Sequence, residues 1–338
     1  MVHHLLPIKH FHIIFTIPKE LRDWFYYNQR LCYNLLFRVS YQTIAQMTGA
    51  GKTGLPGQTG VVSTLHTWGS NLAYHPHVHC IVPAGSYLDG KWQFSKKQST
   101  GRFFCDAVEL RQQYKALFIR EFVKLVETED FFWKGEKVDS CPDLFELLQK
   151  DLRQAARKKW TVRIENPVLG TEQIIEYLAR YVRRVAITNS RIESVDDKKV
   201  TINYKQYQLQ QPGKAPPVGK MEFDGAAFIQ QFAQHIPPRG FHKVRYYGIY
   251  AFGNKKLKNE IYQSITKSCL LPYQVPSRKT LIARQIGHDP DVCDAYGAIN
   301  QFVTTPLVEQ TNQGYHLTKN YKTPRIRAGP RGFSHSDL

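Results

Sequence analysis

Residues 75–82 read HPHVHCIV, in which histidines alternate with proline, valine and cysteine. Successive side chains of a β-strand point to opposite faces, so His75, His77 and His79 share one face and the residues between them can be buried on the other. Side chains two positions apart lie about 6.5 to 7 Å from each other along a strand, which lets neighbouring imidazoles converge on one cation. The stretch therefore predicts a half-buried strand that carries a metal site.

A second strand-like run, residues 61–66, precedes this stretch, and TWGSNLAY between them is typical of a broad hairpin connection. Its last residue, His66, is the candidate third ligand. The alternative is that these histidines are hydrated side chains on the polar face of a strand. A second His-hydrophobic-His pattern, formed by His10, Phe11 and His12, means that spacing alone does not decide which histidines bind metal.

Composition narrows the class of protein. Of the 338 residues, 42% are hydrophobic, 13% aromatic and 22% charged, as in folded globular proteins. No apolar run reaches the roughly 18 residues of a membrane span, and we expect no signal peptide. The six cysteines are scattered without close pairs, which indicates a reducing compartment rather than a disulfide framework. The glycine-rich segment 50–60 contains GKT but lacks the preceding glycine of a phosphate-binding P-loop.

The order of the predicted elements indicates an α+β fold with a largely antiparallel sheet rather than a doubly wound nucleotide-binding fold. The predicted strands are residues 10–17, 61–66, 75–82, 192–195 and 200–204, and the predicted helices are residues 19–48, 107–127, 142–158 and 171–185. The Pro- and Gly-rich segment 210–220 is predicted as a break. We expect a catalytic domain at residues 1–252 and a basic C-terminal region, with a DNA-binding role, at residues 253–338.

The formal net charge of +18 indicates a polyanionic partner. Residues 239–284 contain ten Lys or Arg against one acid, with aromatic residues interleaved. Aromatic faces stack on bases and cations neutralise phosphates, so the segment favours single-stranded nucleic acid; a solvated basic face around core tyrosines is the alternative. The DNA-binding candidates here are Lys243, Arg245, Lys255, Lys256 and Lys258.

A further candidate site is EYLARYVRR at residues 176–184, where Tyr177 and Tyr181 are four apart on one face of the predicted helix. Cations beside a phenol favour its deprotonated, nucleophilic form and attract phosphate. The arginines of this helix, also candidates for DNA binding, are Arg180, Arg183 and Arg184. The alternative is that the tyrosines belong to an apolar core stripe.

The histidine strand and the tyrosine helix on a basic α+β chain resemble the two-tyrosine HUH transposases of rolling-circle insertion sequences. The resemblance covers residues 5–251. Its segments are FHIIFTIPKEL, LLFRVSYQTI, VVSTLHTWGSNLAYHPHVHCIVPAGS, YLARYVRRVAITNSRI, VDDKKVTINYK and FHKVRYYGIYA. It implies an HUH-nuclease-like core flanked by helices. Members of that family commonly carry a cysteine-rich zinc module before this region, and we expect this sequence to lack it, either as a short relative or as a truncated product.

The resemblance also implies the metal ligands. His77 and His79 are the expected pair, His66 is the expected third ligand, and His12 is a lesser candidate. The expected cofactor is a divalent metal, Mg²⁺ or Mn²⁺, although imidazole ligands by themselves suit zinc, nickel or copper better.

The implied activity is that of a transposase that nicks and rejoins single-stranded DNA at transposon ends and target. Tyr177 or Tyr181 would attack the phosphodiester and leave a 5′-phosphotyrosine link with a free 3′-hydroxyl. The expected location is the bacterial cytoplasm, with the nucleoid and without a membrane. A rolling-circle replication initiator or relaxase, an inactive DNA-binding relative and a protein with a structural zinc site stay open as alternatives.

Overall fold

The computed structural model describes residues 5–49, 55–94, 105–168, 185–211 and 213–267, residue 283, and two short strands beyond it. The strands are β1 (His10–Thr16), β2 (Gly60–Trp68), β3 (Tyr74–Pro83), β4 (Gly85–Leu88), β5 (Lys91–Phe94), β6 (Phe132–Trp133), β7 (Glu136–Lys137), β8 (Val162–Val168), β9 (Ile192–Val195), β10 (Lys199–Lys205), β11 (Val218–Asp224), β12 (Val244–Gly248), β13 (Val308–Thr311) and β14 (Gly314–Leu317). The helices are α1 (Arg22–Tyr27), α2 (Gln29–Gly49), α3 (Ala107–Thr128), α4 (Pro142–Arg157), α5 (Gly225–Ala233) and α6 (Lys255–Thr266).

A five-stranded sheet in the order β12-β2-β3-β1-β8 organises the first of two compact units, Met1–Leu270. A smaller sheet, β11-β10-β9, belongs to the same unit. Every strand pair among the described residues is antiparallel. The predicted α+β class with a largely antiparallel sheet is therefore confirmed. None of the described helices is long and apolar enough to cross a membrane.

The two faces of the five-stranded sheet differ in chemistry because side chains alternate along each strand. On one face, Phe11, Ile13 and Phe15 of β1 join the main hydrophobic core, to which α2, α3 and α4 also contribute. On the other face, β1 carries His10 and His12, and a second core packs over part of the sheet. The main core thus fixes the sheet and leaves the histidines on its opposite face.

The second core includes part of the helix that follows residue 252, the end of the predicted catalytic domain. Ile261 of α6 is fully buried there with Trp92 of β5 and Ile249, which follows β12. Helix α6 therefore packs with the sheet-bearing unit. In the second unit, Leu271–Leu338, the described strands β13 and β14 form a hairpin.

The predicted helix at residues 19–48 is wrong in one respect, because it is broken at Asn28 into α1 and α2. The side-chain amide of Asn28 donates to the carbonyl oxygens of Trp24 at 2.9 Å and Phe132 at 2.8 Å. Its Oδ1 accepts from the backbone N–H of Phe132 at 2.9 Å. These bonds hold Asn28 outside helical geometry (φ −126°, ψ 42°) and tie the break to β6.

Two other predictions concern the segment 210–220 and the residues 171–185. The segment 210–220, predicted as a break, contains the start of β11, which pairs with β10 over seven residues. The predicted helix at residues 171–185 lies outside the described residues, apart from Val185.

Phe118 of α3 offers a direct test of the main core. Its ring is fully buried and lies 5.1 Å from the ring centre of Trp160 and 6.1 Å from that of Phe25. We expect Phe118→Ala to lower the free energy of unfolding by about 3–5 kcal/mol, since it removes a buried aromatic ring and leaves a cavity. Val195→Ala, at a position 68% exposed, should change it by less than about 0.5 kcal/mol. Urea unfolding followed by tryptophan fluorescence measures both, and equal losses would contradict this description of the core.

Candidate metal centre

Three histidines that the sequence singled out come together on the histidine face of the sheet. His66 of β2 lies directly opposite His77 of β3, and His79 is two positions further along β3. One ring nitrogen from each of His66, His77 and His79 lies within 4.8 Å of the others. We call these three residues the histidine triad.

Hydrogen bonds fix the orientation of two of the triad rings. His77 donates from Nδ1 to the backbone carbonyl oxygen of His75 at 2.7 Å. Nδ1 of His79 lies 2.8 Å from Nε2 of His12. In both His77 and His79, Nδ1 is thus engaged with the protein and Nε2 is the nitrogen that can bind a metal.

The environment keeps the imidazole of His77 neutral. Burial lowers its pKa to about 4, against a smaller opposing effect of the hydrogen bond to the carbonyl of His75. The neutral form carries the lone pair that a metal ion requires. At neutral pH, His77 is therefore ready to act as a ligand without first losing a proton.

His75 shares the face but points to a different partner. Its Nδ1 accepts a hydrogen bond from Nη2 of Arg22 at 2.6 Å. Burial, with repulsion from His77 and Arg22, lowers the pKa of His75 to about 3. Of the three histidines in the original strand pattern, the structure thus brings two into the triad and pairs the third with an arginine.

The donor set fits a divalent metal ion. Two nitrogens that each lie about 2.1 Å from one ion are separated by at most about 4.2 Å, so only small ring rotations are needed from the observed positions. The hydrogen-bonded orientation of His77 and His79 and the neutral imidazole of His77 meet other requirements of such a site. The arrangement can hold an ion on the face of the sheet where the neighbouring strands β2 and β3 carry the triad.

His10 and His12, the second His-hydrophobic-His pattern, form hydrogen bonds with other protein groups. His10 is buried, with Nδ1 2.8 Å from the carbonyl oxygen of Ile8 and Nε2 2.7 Å from the hydroxyl of Tyr250. His12 lies behind His79, with Nδ1 2.8 Å from Oε2 of Glu165. Glu165 was not predicted from the sequence, because β8 was not recognised as a strand.

The predicted nucleophiles and the arginines beside them lie outside the described residues: Tyr177, Tyr181, Arg180, Arg183 and Arg184. Their proximity to the histidine triad therefore stays a prediction.

The other predicted DNA-binding residues lie near the C-terminal end of the first unit. Lys255 and Lys256 are exposed in the first turn of α6, and Lys243 is partly exposed just before β12. The guanidinium of Arg245 lies 4.5 Å from the ring centre of Phe37 and also bonds to Asn34.

Lys258 differs from the other lysines of α6. It is only 4% exposed, and burial lowers its pKa. This burial weighs against a direct contact between its ammonium group and DNA.

The histidine triad predicts a measurable metal affinity. In the metal-free protein, His77→Ala should weaken Mn²⁺ binding at least tenfold, because it removes one of three nitrogen ligands. His242→Ala, at an exposed histidine, should leave the affinity unchanged. Isothermal titration calorimetry measures both, and circular dichroism checks the fold. Equal effects of the two substitutions would contradict the assignment of the site.

This chain is similar to known proteins. The match to the origin-recognition/nickase domain of the non-structural protein 1 from human bocavirus covers 53% of this chain and 76% of that domain, at 13% identity and a TM-score of 0.32. The "Putative transposase y4qJ" of Sinorhizobium fredii is 32% identical over 265 residues, which are 77% of this chain and 62% of the relative.

The "Transposase for insertion sequence element IS801" of Pseudomonas savastanoi pv. phaseolicola is 26% identical over 250 residues, which are 71% of this chain and 54% of the relative. The chain thus spans less than two thirds of the length of both curated relatives. Residues 60–258, more than half of the chain and including the whole histidine triad, match the family model Y2_Tnp, described as "Putative transposase". The chain belongs to this transposase family.

Proposed function

We propose that this protein nicks and rejoins single-stranded DNA at the ends of an insertion sequence. The observation that carries the proposal is the histidine triad, held on adjacent strands within 4.8 Å in a chain of the transposase family. A compact cluster of imidazoles can bind a divalent ion, and a divalent ion beside a phosphodiester is a means of nuclease catalysis. The similarity to the IS801 transposase supports DNA of an insertion sequence as the substrate.

The proposed reaction is a transesterification at phosphorus. An ion held by His66, His77 and His79 would supply Lewis-acid polarisation of the scissile phosphate. The oxygen of Tyr177 or Tyr181 forms a bond to phosphorus, the bond from phosphorus to the 3′-oxygen breaks, and that oxygen takes up a proton. The product is a 5′-phosphotyrosine with a free 3′-hydroxyl, and the phosphoester energy is kept for rejoining.

Of the two ions expected, Mn²⁺ suits the three-nitrogen donor set better than Mg²⁺. Magnesium prefers oxygen ligands and gives up its water reluctantly. Imidazole suits zinc, copper, iron and nickel best, and Mn²⁺ lies at the weak end of the same series of divalent transition metals. The phosphate oxygens of DNA would complete the oxygen-rich part of a magnesium shell, so both ions stay in the proposal, with Mn²⁺ as the tighter binder of the free protein.

The proposed DNA surface is the start of α6 with the turn before it. Lys255 and Lys256 are exposed there, and Phe252, which is 64% exposed, lies with its ring centre 4.7 Å from that of Tyr246. Cations next to accessible aromatic rings are suited to a single strand, whose bases are free to stack.

The nicking activity is tested by covalent capture. Incubation with single-stranded oligonucleotides covering both ends of the element that carries the gene, in the presence of Mn²⁺, should give a covalent protein–DNA adduct on denaturing gels. The adduct should be lost when Tyr177→Phe and Tyr181→Phe are combined, because no phenol is then available to attack phosphorus. His77→Ala should also abolish nicking but leave oligonucleotide binding mostly intact, since phosphate and stacking contacts supply the affinity.

The controls separate the alternatives. His242→Ala should form the adduct as the wild type does. Tight binding of the oligonucleotides without any adduct would indicate an inactive DNA-binding relative. Unfolding of the protein on removal of metal would indicate a structural metal site instead of a catalytic one.

The DNA surface is tested by the salt dependence of binding. Replacing Lys255 and Lys256 by Gln should lower the slope of log K against log salt by about 1.4 for single-stranded DNA, at about 0.7 for each lost phosphate contact. The control pair, Lys199 and Lys220 replaced by Gln, removes the same charge from lysines that are ion-paired with glutamates on the smaller sheet. Equal slope changes in the two double variants, measured by fluorescence anisotropy, would contradict a local DNA surface on α6.

A further inference from the structure

Glu165 carries a carboxylate that is connected to the histidine triad through one intervening side chain, that of His12. It is located on β8, directly opposite His12 of β1. Its Oε2 lies 2.8 Å from Nδ1 of His12, whose Nε2 in turn lies 2.8 Å from Nδ1 of His79. A line of hydrogen bonds therefore crosses three adjacent strands and ends at a member of the triad.

The chemistry of the groups sets the direction of these hydrogen bonds. An ionised carboxylate can only accept, so Nδ1 of His12 donates to Glu165. With a proton on Nδ1, the Nε2 atom of His12 offers the lone pair that accepts from Nδ1–H of His79. His79 is thereby held as the tautomer whose lone pair is on Nε2, the form that binds a metal through that atom.

The two triad members on β3 reach this tautomer in different ways. His77 donates to the carbonyl oxygen of His75 in its own strand, so its orientation is fixed locally. His79 depends on groups from β1 and β8, which are remote in sequence. The ring planes of His12 and His79 lie within 13° of each other, and the side chain of His12 is fully buried, so this contact is ordered by packing.

We propose that Glu165 and His12 are positioning residues, which fix the ring orientation and the tautomer of His79 and strengthen it as a metal ligand. A carboxylate on the far side of an imidazole pair polarises both rings and makes the distal nitrogen a better donor. The second oxygen of Glu165 lies 3.8 Å from Nε of Arg163, two positions earlier on the same face of β8. This inference rests on the proposed role of the triad as a metal centre.

Glu165 is the better residue to substitute, because its side chain is 31% exposed on an edge strand whereas His12 is buried. In the metal-free protein at a fixed neutral pH, long-range ¹H–¹⁵N spectra of labelled histidines report the tautomer of His79. We expect the wild type to show the Nδ1–H form and Glu165→Ala to show a mixture. Mn²⁺ affinity, measured by calorimetry, should fall about 10- to 100-fold in Glu165→Ala.

Two further variants separate positioning from a general loss of stability. Glu165→Gln keeps an oxygen that accepts from His12 and should recover part of the affinity and most of the tautomer preference. Glu193→Ala removes a strand glutamate of similar exposure, 35%, from the smaller sheet and should change neither measurement. Urea unfolding of each variant confirms that the fold is retained.

A wild-type His79 tautomer together with a wild-type Mn²⁺ affinity in Glu165→Ala would overturn the inference. Its failure is distinguishable from failure of the proposed function. If Glu165→Ala binds Mn²⁺ normally while His77→Ala does not, the metal centre stands and the positioning role is wrong. If the wild type forms no DNA adduct, the nicking function is wrong, and the spectra and the affinities of the metal-free protein still decide the role of Glu165.

Discussion

The register between β2 and β3 is the constraint on which the candidate site depends. His66 faces His77 across the strand pair, and Thr64 faces His79. Opposite residues in an antiparallel pair lie on the same face with Cβ atoms about 5 Å apart, so this register brings imidazoles of two strands to one point. A slip by one residue would turn the histidines towards the main core. The apolar residues of the other face, which are buried in that core, exclude such a slip, so the packing of the core determines the geometry of the site.

Elements with a strong local pattern could be predicted from the sequence. The alternation of residues 75–82 and the apolar run before it predicted the β2–β3 hairpin, and helical spacing predicted α3 and α4, whose observed ends differ by about one residue from the expected ones. The break at Asn28 could not be predicted, because its cause is a pair of hydrogen bonds to Phe132, more than a hundred residues later. Strand β8 was missed for a similar reason, since an edge strand that contains Pro167 and a register shift has little local signal.

The sequence indicated site residues on the strands that it also predicted, but it did not show which strands are neighbours. Spacing within one strand indicated His75, His77 and His79 together, and the family resemblance selected His77 and His79. The choice between His66 and His12 as the third ligand depends on which strands are neighbours. The structure shows that β2 and β1 both flank β3, that His66 joins the triad, and that His12 is bonded to Glu165. Lys258 shows that counting basic residues does not identify the ones that can contact DNA. It lies three residues before Ile261 and is therefore on the buried side of α6.

Strand β8 connects the two halves of the proposed site along the chain. It carries Glu165 behind the metal ligands and ends at Val168, and Tyr177 follows nine positions later. Nine residues span at most about 30 Å when fully extended, so chain connectivity sets an upper limit on the distance between Val168 and Tyr177. The pairing of β8 with β1 thus has two consequences. It places a carboxylate next to His12, and it fixes the point from which the tyrosine segment starts. A change that loosened the edge strand would therefore act directly on the carboxylate behind the proposed metal ligands, and we expect it to act on the proposed nucleophiles through their connection along the chain.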